Sequence, residues 1–398
     1  MEHKTRIKGN VHYVGVNDRN KHRFEALWPL PYGVSYNSYL IDDEMVALVD
    51  TVDICYFEVY LRKIKQVIGE RPINYLIINH MEPDHSGSIR LIKQHYPEII
   101  IVGNKQTFGM IEGFYGVTGE QYLVKEGDFL ALGHHKLRFY MTPMVHWPET
   151  MMTFDETDGV LFSGDGFGCF GTVDGGFLDT RINVDKYWGE MVRYYSNIVG
   201  KYGSPVQKAL QKLGGLPISA ICSTHGPVWT ENISRVIGIY DRLSRYDADE
   251  GVVIVYGSMY GNTEQMAEAI AAELSAQGIR NIVMHNVTKS HPSYILADIF
   301  RYKGLIVGSP TYSNQIFPEV ESLLSKILVR ELKGRYLGYF GSFTWAGAAV
   351  KRMAEFAEKS KFELVGDPVE MKQAMQDITY TQCENLARAM ADRLKKDR

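Results

Sequence analysis

The hydrophobic pattern of the first 250 residues predicts short strands mixed with helices. Residues 35–41 and 45–50 are extended runs separated by Asp42-Asp43-Glu44, which predicts a hairpin. Apolar residues recur at helical spacing over 56–68 and 88–95. Further strands are predicted at 75–78, 99–102, 137–141, 159–162 and 219–222. Two sheets between layers of helices, an αββα arrangement, account for this order.

From residue 252 onward, predicted strands and helices alternate regularly. The strands are predicted at 252–256, 282–286, 305–307 and 336–340, and the helices at 263–276, 320–328 and 348–359. Such alternation predicts a doubly wound parallel sheet covered by helices on both faces. A short polar and charged stretch, 245–251, precedes the first of these strands. The chain is therefore predicted to form two α/β domains, 1–248 and 250–398.

Composition and charge narrow the class of protein. The formal net charge is −4 over 398 residues, and acids and bases are interspersed, so neither a nucleic acid nor a membrane is an expected partner. No apolar run approaches the roughly 18–20 residues that span a bilayer. The four cysteines form no C-x-x-C pair, which excludes a rubredoxin-type centre and favours a cytoplasmic location.

The densest cluster of candidate ligands follows the predicted strand at 75–78. His80, Glu82, Asp84 and His85 lie within six residues in a loop at the carboxyl end of that strand. Packing these groups together would desolvate like charges at considerable cost. A bound cation removes that conflict, so the segment predicts a metal site.

Three more candidates occupy the same kind of position. His146, Asp165 and His225 each follow the end of a predicted strand. Taken alone, a histidine or aspartate at a strand end is more often a turn residue than a ligand. Loops at the ends of several strands can converge on one pocket, however. Together with His80, Glu82 and Asp84 they supply six oxygen and nitrogen ligands and no thiolate.

Three loops in the second part suit a phosphate and a flat aromatic ring. The first joins strand 252–256 to a helix, where free N–H groups and hydroxyls make a phosphate site. The other two follow the strands ending at 307 and 340 and carry the aromatic residues Tyr312 and Trp345. The first loop resembles the phosphate loop of flavodoxin, and the resemblance implies that Tyr312 and Trp345 flank the isoalloxazine ring of FMN. The FMN-binding residues that it implies are Ser258, Met259, Tyr260, Gly261, Asn262, Thr263, Ser309, Pro310, Thr311, Tyr312, Asn314, Ser342, Phe343, Thr344, Trp345, Ala346 and Gly347.

Residues 1–248 resemble the metallo-β-lactamase fold, whose motif is usually His-x-His-x-Asp-His. Glu82 stands where the second histidine of a zinc hydrolase would be. A third carboxylate hardens the ligand set, which favours non-haem iron over zinc. Residues 250–398 resemble flavodoxin, which holds FMN at the carboxyl edge of its sheet.

A chain with both halves in this order resembles the flavodiiron proteins. The resemblance implies that His80, Glu82 and His146 bind one iron, that Asp84 and His225 bind the other, and that Asp165 bridges them. The residue matching His85 is a close neighbour of the irons in that family, so His85 is expected to support the ligands without being one.

The same resemblance implies an oxidoreductase that reduces dioxygen to water, nitric oxide to nitrous oxide, or both. The electron donor is expected to be a separate rubredoxin, reduced deazaflavin or flavin reductase. A head-to-tail homodimer, or a dimer of such dimers, is also implied. Many members carry Phe-His-Gly-Tyr before the first hairpin, whereas this chain reads Phe24-Glu25-Ala26-Leu27. The iron pocket is therefore expected to lack that histidine, which leaves the preferred oxidant open.

Two alternatives belong to other classes. A binuclear zinc hydrolase would explain the first half, but it leaves the flavin loops without a role. A flavodoxin-like electron carrier with a degenerate first domain would explain the second half. The complete set of six ligands argues against degeneration.

Overall fold

The computed structural model describes residues 5–397, and the chain divides into two compact units between Ser244 and Arg245. Within the described part of the chain, no helix is long and apolar enough to cross a membrane. The predicted domain limits near 248–250 stay a prediction, and the limits at residues 1 and 398 lie outside the described residues.

The first unit mixes short strands with helices. Its strands are β1 (Arg6–Lys8), β2 (Val11–Tyr13), β3 (Val16–Asp18), β4 (Arg23–Phe24), β5 (Trp28–Pro29), β6 (Val34–Tyr36), β7 (Tyr39–Ile41), β8 (Ala47–Val49), β9 (Tyr75–Ile77), β10 (Ile100–Gly103), β11 (Gln121–Leu123), β12 (Phe129–Ala131), β13 (Lys136–Met141), β14 (Met151–Asp155), β15 (Val160–Gly164) and β16 (Ala220–Ser223). Its helices are α1 (Phe57–Ile68), α2 (Pro83–Ser86), α3 (Ile89–His95), α4 (Lys105–Tyr115), α5 (Asp185–Tyr194), α6 (Gly203–Leu213) and α7 (Ile233–Ser244).

Two sheets enclose the core of this unit. One has the order β1-β2-β7-β8-β9-β10-β11 and the other β12-β13-β14-β15-β16. Apolar side chains from both sheets, such as Ile41 and Ile77 from one and Phe139 and Phe162 from the other, form a single buried cluster. The αββα arrangement predicted from the sequence is confirmed.

One predicted strand is interrupted. The run at 35–41 was expected to be continuous, but β6 ends at Tyr36 and β7 begins at Tyr39. The buried Asn37 between them donates two 2.8 Å hydrogen bonds, to the carbonyl oxygens of Ser223 and Gly226. Since these acceptors flank His225, the interruption fastens the hairpin to a predicted ligand loop.

The second unit alternates strands and helices. Its elements are β17 (Asp249–Tyr256), α8 (Asn262–Ala276), β18 (Ile282–Asn286), α9 (Pro292–Arg301), β19 (Tyr302–Tyr312), β20 (Gln315–Ile316), α10 (Pro318–Val329), β21 (Tyr336–Phe343), α11 (Ala349–Ser360), β22 (Glu363–Leu364), β23 (Val369–Lys372) and α12 (Asp377–Lys395).

The sheet of the second unit has the order β18-β17-β19-β21-β22, and β23 also pairs with β21. These pairings are all parallel, and the short β20 is antiparallel to β19. Helices α8 and α12 pack on one face through residues such as Met266 and Leu386. The order matches that of flavodoxin, whose ligand binds where the strand order reverses.

Two strands of this sheet extend beyond their predicted carboxyl ends. β19 continues past Val307 to Tyr312, because Thr311 and Tyr312 pair with β20 in a hairpin. β21 continues past Phe340 to Phe343, because its last residues pair with β23. The predicted flavin loops are therefore shorter, and several of their residues lie at strand ends.

The end of α12 is fastened by Asp397. Its carboxylate accepts hydrogen bonds from Lys303 Nζ at 2.6 Å, Tyr336 Oη at 2.5 Å and Arg393 Nη1 at 2.8 Å. Hydrogen bonds from these three groups hold the pKa of Asp397 well below its usual value. The deprotonated form is thus favoured by folding.

We expect Asp397→Asn to lower the melting temperature at pH 7 by roughly 2–4 °C, the scale of a partly exposed ion pair. A carboxyl group with a depressed pKa stabilises the fold above its unfolded pKa of about 3.9, and this stabilisation is lost as the pH falls below that value. The difference between variant and wild type should therefore shrink progressively below about pH 4. Thermal unfolding across pH tests this, with Asp392→Asn on the same helix as the control. A difference independent of pH would contradict it.

Candidate metal centre and flavin cavity

Four loops at strand ends bring the predicted ligands together inside the first unit. The loop after β9 leads into the short helix α2, and the other loops follow β13, β15 and β16. The residues they deliver are all buried: His80, Glu82, Asp84, His85, His146, Asp165 and His225. All six predicted ligands therefore lie in one region of the structure.

One cluster consists of His80, Glu82, His146 and Asp165, whose potential ligand atoms all lie within 4.8 Å of one another. Nε2 of His146 is 3.0 Å from Oδ2 of Asp165 and 3.2 Å from Oε2 of Glu82. Nε2 of His80 is 3.5 Å from the same Glu82 oxygen. Two imidazoles and two carboxylates thus converge on one point.

A second cluster consists of Asp84, His85 and His225, which meet the same distance criterion. Nε2 of His225 is 3.4 Å from Oδ2 of Asp84, and Nε2 of His85 is 3.3 Å from Oδ1. Gly226 follows His225 with φ +80°, and a side chain there would collide with Cys169. Only a glycine lets the chain turn away this closely behind the histidine.

Asp165 lies between the two clusters. Its Oδ2 faces His146 and His80, at 3.0 and 3.6 Å from their Nε2 atoms. Its Oδ1 faces His85 and His225, at 2.9 and 3.7 Å from theirs. Thr224 Oγ1 also donates a 2.5 Å hydrogen bond to Oδ1. Each oxygen of this carboxylate therefore points at a different cluster, as a bridging ligand requires.

The buried atoms of these clusters lack hydrogen-bond partners. Nε2 of His80, Oε2 of Glu82, both carboxylate oxygens of Asp84 and Nε2 of His225 are all buried and unpaired among the described residues. Leaving such groups unpaired is costly, and charged groups cost the most. Histidine nitrogens and carboxylate oxygens that converge in this way fit two hard cations of the iron type.

The electrostatics of the cluster follow from its charges. Burial alone would raise the pKa of Asp165, but His85, His80 and His146 hold it well below its usual value. Burial would lower the pKa of His146, but hydrogen bonds to Asp165 and Glu82 raise it to about 9. Protons thus balance the carboxylates in the metal-free protein, and metal ions would replace them.

Two supporting groups orient the histidines. Nδ1 of His80 hydrogen-bonds Oε1 of Glu149 at 2.8 Å, and Nδ1 of His225 donates to the carbonyl oxygen of Ser35 at 2.7 Å. Both contacts leave Nε2 free to face the cluster. Glu149 was not among the predicted residues, although a carboxylate only three residues after the predicted ligand His146 could have indicated a role near the metal site. The contact of His225 with the carbonyl oxygen of Ser35 could not be predicted, because every residue has a backbone carbonyl and the residue type therefore indicates nothing.

His85 lies inside the second cluster. Its Nε2 is close to both Asp84 and Asp165, and both ring nitrogens lack a hydrogen-bond partner. The geometry alone therefore makes it a further candidate ligand. Its predicted role as a supporting neighbour stays a prediction.

A cavity of about 730 Å³ opens onto the centre and is lined by Phe24, Glu25, Glu82 and Asp84 among others. Phe24 packs edge-on against the ring of His225, with ring centroids 5.2 Å apart. Burial and the nearby charge of Glu82 raise the pKa of Glu25. Many family members have a histidine at the position of Glu25. In this chain a carboxyl group takes the place of that histidine in the cavity.

The turn that holds Glu25 is strained. Glu25 and Ala26 have φ of +49° and +57°, the left-handed region that non-glycine residues avoid. Trp28 Nε1 donates a 2.9 Å hydrogen bond to Oε2 of Glu25, which restrains the carboxylate. Such strain persists where the surrounding structure holds it, often at functional sites.

Tyr194 was also missed. It is fully buried at the end of α5, its ring lies 5.7 Å from that of His225, and its hydroxyl has no hydrogen-bond partner. Burial, together with the charge of Asp165, raises its pKa well above the usual value. The neutral hydroxyl is therefore available as a donor beside the centre.

The second unit has a cavity of about 600 Å³ at the carboxyl edge of its sheet. Fourteen of the seventeen predicted FMN residues line it, the exceptions being Gly261, Ser309 and Gly347. Gly261 is the N-cap of α8 with φ +89°, and Ser309 Oγ accepts a hydrogen bond from Phe317 N. Residues Ser313, Gln373 and Ala374 line it as well and were not predicted.

This cavity fits a phosphorylated flavin. The N-cap of α8 is Gly261, which has no side chain to cap the helix, so the first N–H groups of α8 are available to bind a phosphate. The rings of Tyr260 and Trp345 are 89% and 84% exposed at the rim. Large aromatic rings left in solvent are costly to expose, and a flat ring system would cover them.

The two units therefore define a protein that combines a metal-binding β-lactamase-like unit with a flavodoxin-like unit. Residues 34–226 match the model of the ODP family beta lactamase, and residues 254–385 match that of flavodoxin. An anaerobic nitric oxide reductase flavorubredoxin from Vibrio vulnificus is 33% identical over 368 residues, which cover 90% of this chain and 73% of that protein.

Solved structures with the same two-unit fold are similar to this chain over nearly its whole length. The rubredoxin oxygen:oxidoreductase from Desulfovibrio gigas superimposes with a TM-score of 0.93 and 31% identity, over 97% of each chain. The flavodiiron protein from Giardia intestinalis gives a TM-score of 0.91 and 26% identity, over 98% of this chain and 97% of that chain. The chain belongs to the flavodiiron protein family.

We expect Glu149→Gln to weaken metal binding while leaving FMN binding intact, because the variant loses the charged acceptor that orients His80. Loss of such a supporting group typically lowers metal affinity about 10–100-fold. Competition of bound iron with a chelator measures the affinity. The control is Glu156→Gln, since Glu156 pairs with Arg138 and Lys136 on the surface. Equal iron retention in both variants would show that Glu149 plays no such role.

Proposed function

We propose that this protein is a flavodiiron oxidoreductase that reduces dioxygen to water, nitric oxide to nitrous oxide, or both. The observation that carries the proposal is Asp165, whose two oxygens face two separate buried ligand clusters. The curated relative is named a nitric oxide reductase, and the structural neighbour an oxygen oxidoreductase. Both oxidants are therefore supported.

The proposed ligands follow the two clusters. His80, Glu82 and His146 bind one iron, and Asp84 and His225 bind the other. Asp165 would be shared by the two metals, since it lies between the two clusters. When bound, the irons supply sites for a small oxidant, and FMN supplies their electrons one or two at a time.

The protein's own groups set the conditions for that chemistry. Phe24 covers His225, so the second cluster is sheltered from water on that side. The buried Tyr194 offers a hydroxyl proton beside the centre, and Glu25 offers a carboxyl group in the cavity that leads to it. Reduction of either oxidant consumes protons, and these two groups are placed to hold them near the site.

In the second unit, we propose that FMN binds in the 600 Å³ cavity through the predicted residues. The start of α8 and the hydroxyls of Ser258 and Thr263 would hold its phosphate. Tyr312 and Trp345 would hold its ring. The two domains are proposed to span 1–248 and 250–398.

The donor and assembly are proposed by resemblance. A rubredoxin is one donor, which the name of the Desulfovibrio gigas neighbour supports; a reduced deazaflavin and a flavin reductase are the others. A head-to-tail homodimer, or a dimer of such dimers, is proposed. A cytoplasmic location is proposed because the four cysteines are all free thiols.

The function is tested by reducing the purified protein without oxygen and mixing it with dioxygen or nitric oxide in parallel. We expect rapid reoxidation of the flavin by at least one oxidant, with water or nitrous oxide as product. No turnover with either oxidant would refute the proposed reaction. A content of about two zinc and no iron, with thioester or lactam hydrolysis, would identify a hydrolase instead.

We expect Asp165→Ala to lose oxidant reduction while it keeps FMN, because the bridge between the clusters is removed and the second unit is untouched. Activity, iron content and FMN absorbance are measured on the same sample. The control is Asp179→Ala, since Asp179 belongs to neither cluster and accepts hydrogen bonds from Thr230 and Asn232. Full activity in Asp165→Ala would favour the electron-carrier alternative or a site elsewhere.

A further inference from the structure

Besides the three predicted loops, a fourth segment lines the flavin cavity: the residues that directly follow β23. This strand pairs in parallel with β21, in register from Val369 opposite Phe340 to Lys372 opposite Phe343. Its carboxyl end therefore reaches the same edge of the sheet as the three predicted loops. The residues that follow it, Gln373 and Ala374, line the cavity.

The backbone of Gln373 is held in an unfavourable conformation. Its φ is +65°, in the left-handed region where a side chain is strained. Its N–H group donates a 2.8 Å hydrogen bond to the carbonyl oxygen of Phe343, the last residue of β21. This bond fixes the turn to the strand whose end already lines the cavity.

The amide of Gln373 is free. The side chain is exposed, and among residues 5–397 it makes no hydrogen bond. An amide offers an acceptor oxygen and two N–H donors. The edge of an isoalloxazine ring presents carbonyl oxygens beside an N–H group, so the two patterns are complementary.

The cavity is also uncharged. Serine, threonine, asparagine, tyrosine and apolar side chains line it, and no Asp, Glu, Lys, Arg or His does so among the described residues. A reduced flavin carries negative charge near N1, and nearby protein charge tunes its potential. A neutral hydrogen-bonding group at Gln373 neither repels that charge nor neutralises it.

We propose that Gln373 is a positioning residue for the flavin: its amide hydrogen-bonds the isoalloxazine ring and keeps that side of the cavity neutral. The proposal rests on the proposed binding of FMN in this cavity. It assigns a role to a fourth segment that follows β23, beyond the three loops that the sequence indicated.

The test uses the full-length protein, stripped of FMN and reconstituted. Gln373→Gly removes the amide while a glycine relieves the strain at positive φ. Gln373→Glu keeps the size and adds one negative charge. The matched control is Gln376→Glu, since Gln376 is exposed three residues further on and does not line the cavity. Dissociation constants for FMN and its midpoint potentials are measured.

We expect Gln373→Gly to weaken FMN binding about three- to tenfold, the scale of one hydrogen bond. We expect Gln373→Glu to bind reduced FMN about tenfold less tightly relative to oxidised FMN. By linkage, a tenfold change corresponds to a fall of about 30 mV in the two-electron potential of the oxidised and reduced flavin. The control should keep the wild-type values. If Gln373 only stabilised the fold, a negative charge at this position would not lower the midpoint potential of FMN.

Two outcomes would overturn the proposal. One is wild-type affinity and potential in both Gln373 variants, and the other is an equal shift in Gln373→Glu and Gln376→Glu. Weaker FMN binding in both Gln373 variants but not in Gln376→Glu, with an unchanged melting temperature of the FMN-free proteins, would support it, whereas wild-type affinity in Gln373→Gly would show that the amide makes no such bond. If the wild-type chain bound no FMN, the proposed function itself would be contradicted. That result is distinguishable from one in which the wild type binds FMN and the Gln373 variants bind it equally well, which would contradict only the role of Gln373.

Discussion

The first unit is organised around the burial of Asp165. This carboxylate has essentially no solvent contact, and it lies between imidazoles that belong to two clusters. An unpaired buried charge of this kind is strongly destabilising. Nearby His85, His80 and His146 hold the pKa of Asp165 well below its usual value although burial raises it. The pKa values of His80, His85 and His146 are raised, which favours protons on these rings in the metal-free chain, and two cations would take over that role when metal binds.

The sheets place the groups around Asp165, and local contacts aim them. Strand ends bring four loops to one place, so the ligands come from positions distant in the sequence. Glu149 and the carbonyl oxygen of Ser35 then rotate His80 and His225 so that their Nε2 atoms face inward. In the second unit too the sheet positions the site, because its parallel strands end together around the flavin cavity.

The sequence predicted the layered architecture of both units, because hydrophobic spacing reports directly on buried faces. It also predicted the convergence of His80, Glu82 and Asp84, since they follow one buried strand. It did not predict Tyr194, whose relation to the centre depends on how α5 packs. Gln373 was missed for a related reason: β23 is short, and only its pairing with β21 brings the next residue to the cavity. The lengths of β19 and β21 were underestimated, because pairing with β20 and β23 extends them.

The central claim is that two irons bind on either side of Asp165. Anomalous diffraction at the iron edge, on crystals of protein purified without added metal, tests it most directly. We expect two iron peaks, about 3.5–4 Å apart as in other two-metal sites. One should lie beside His80 and His146, and the other beside Asp84 and His225. A single peak, or peaks that appear only at the zinc edge, would contradict the account.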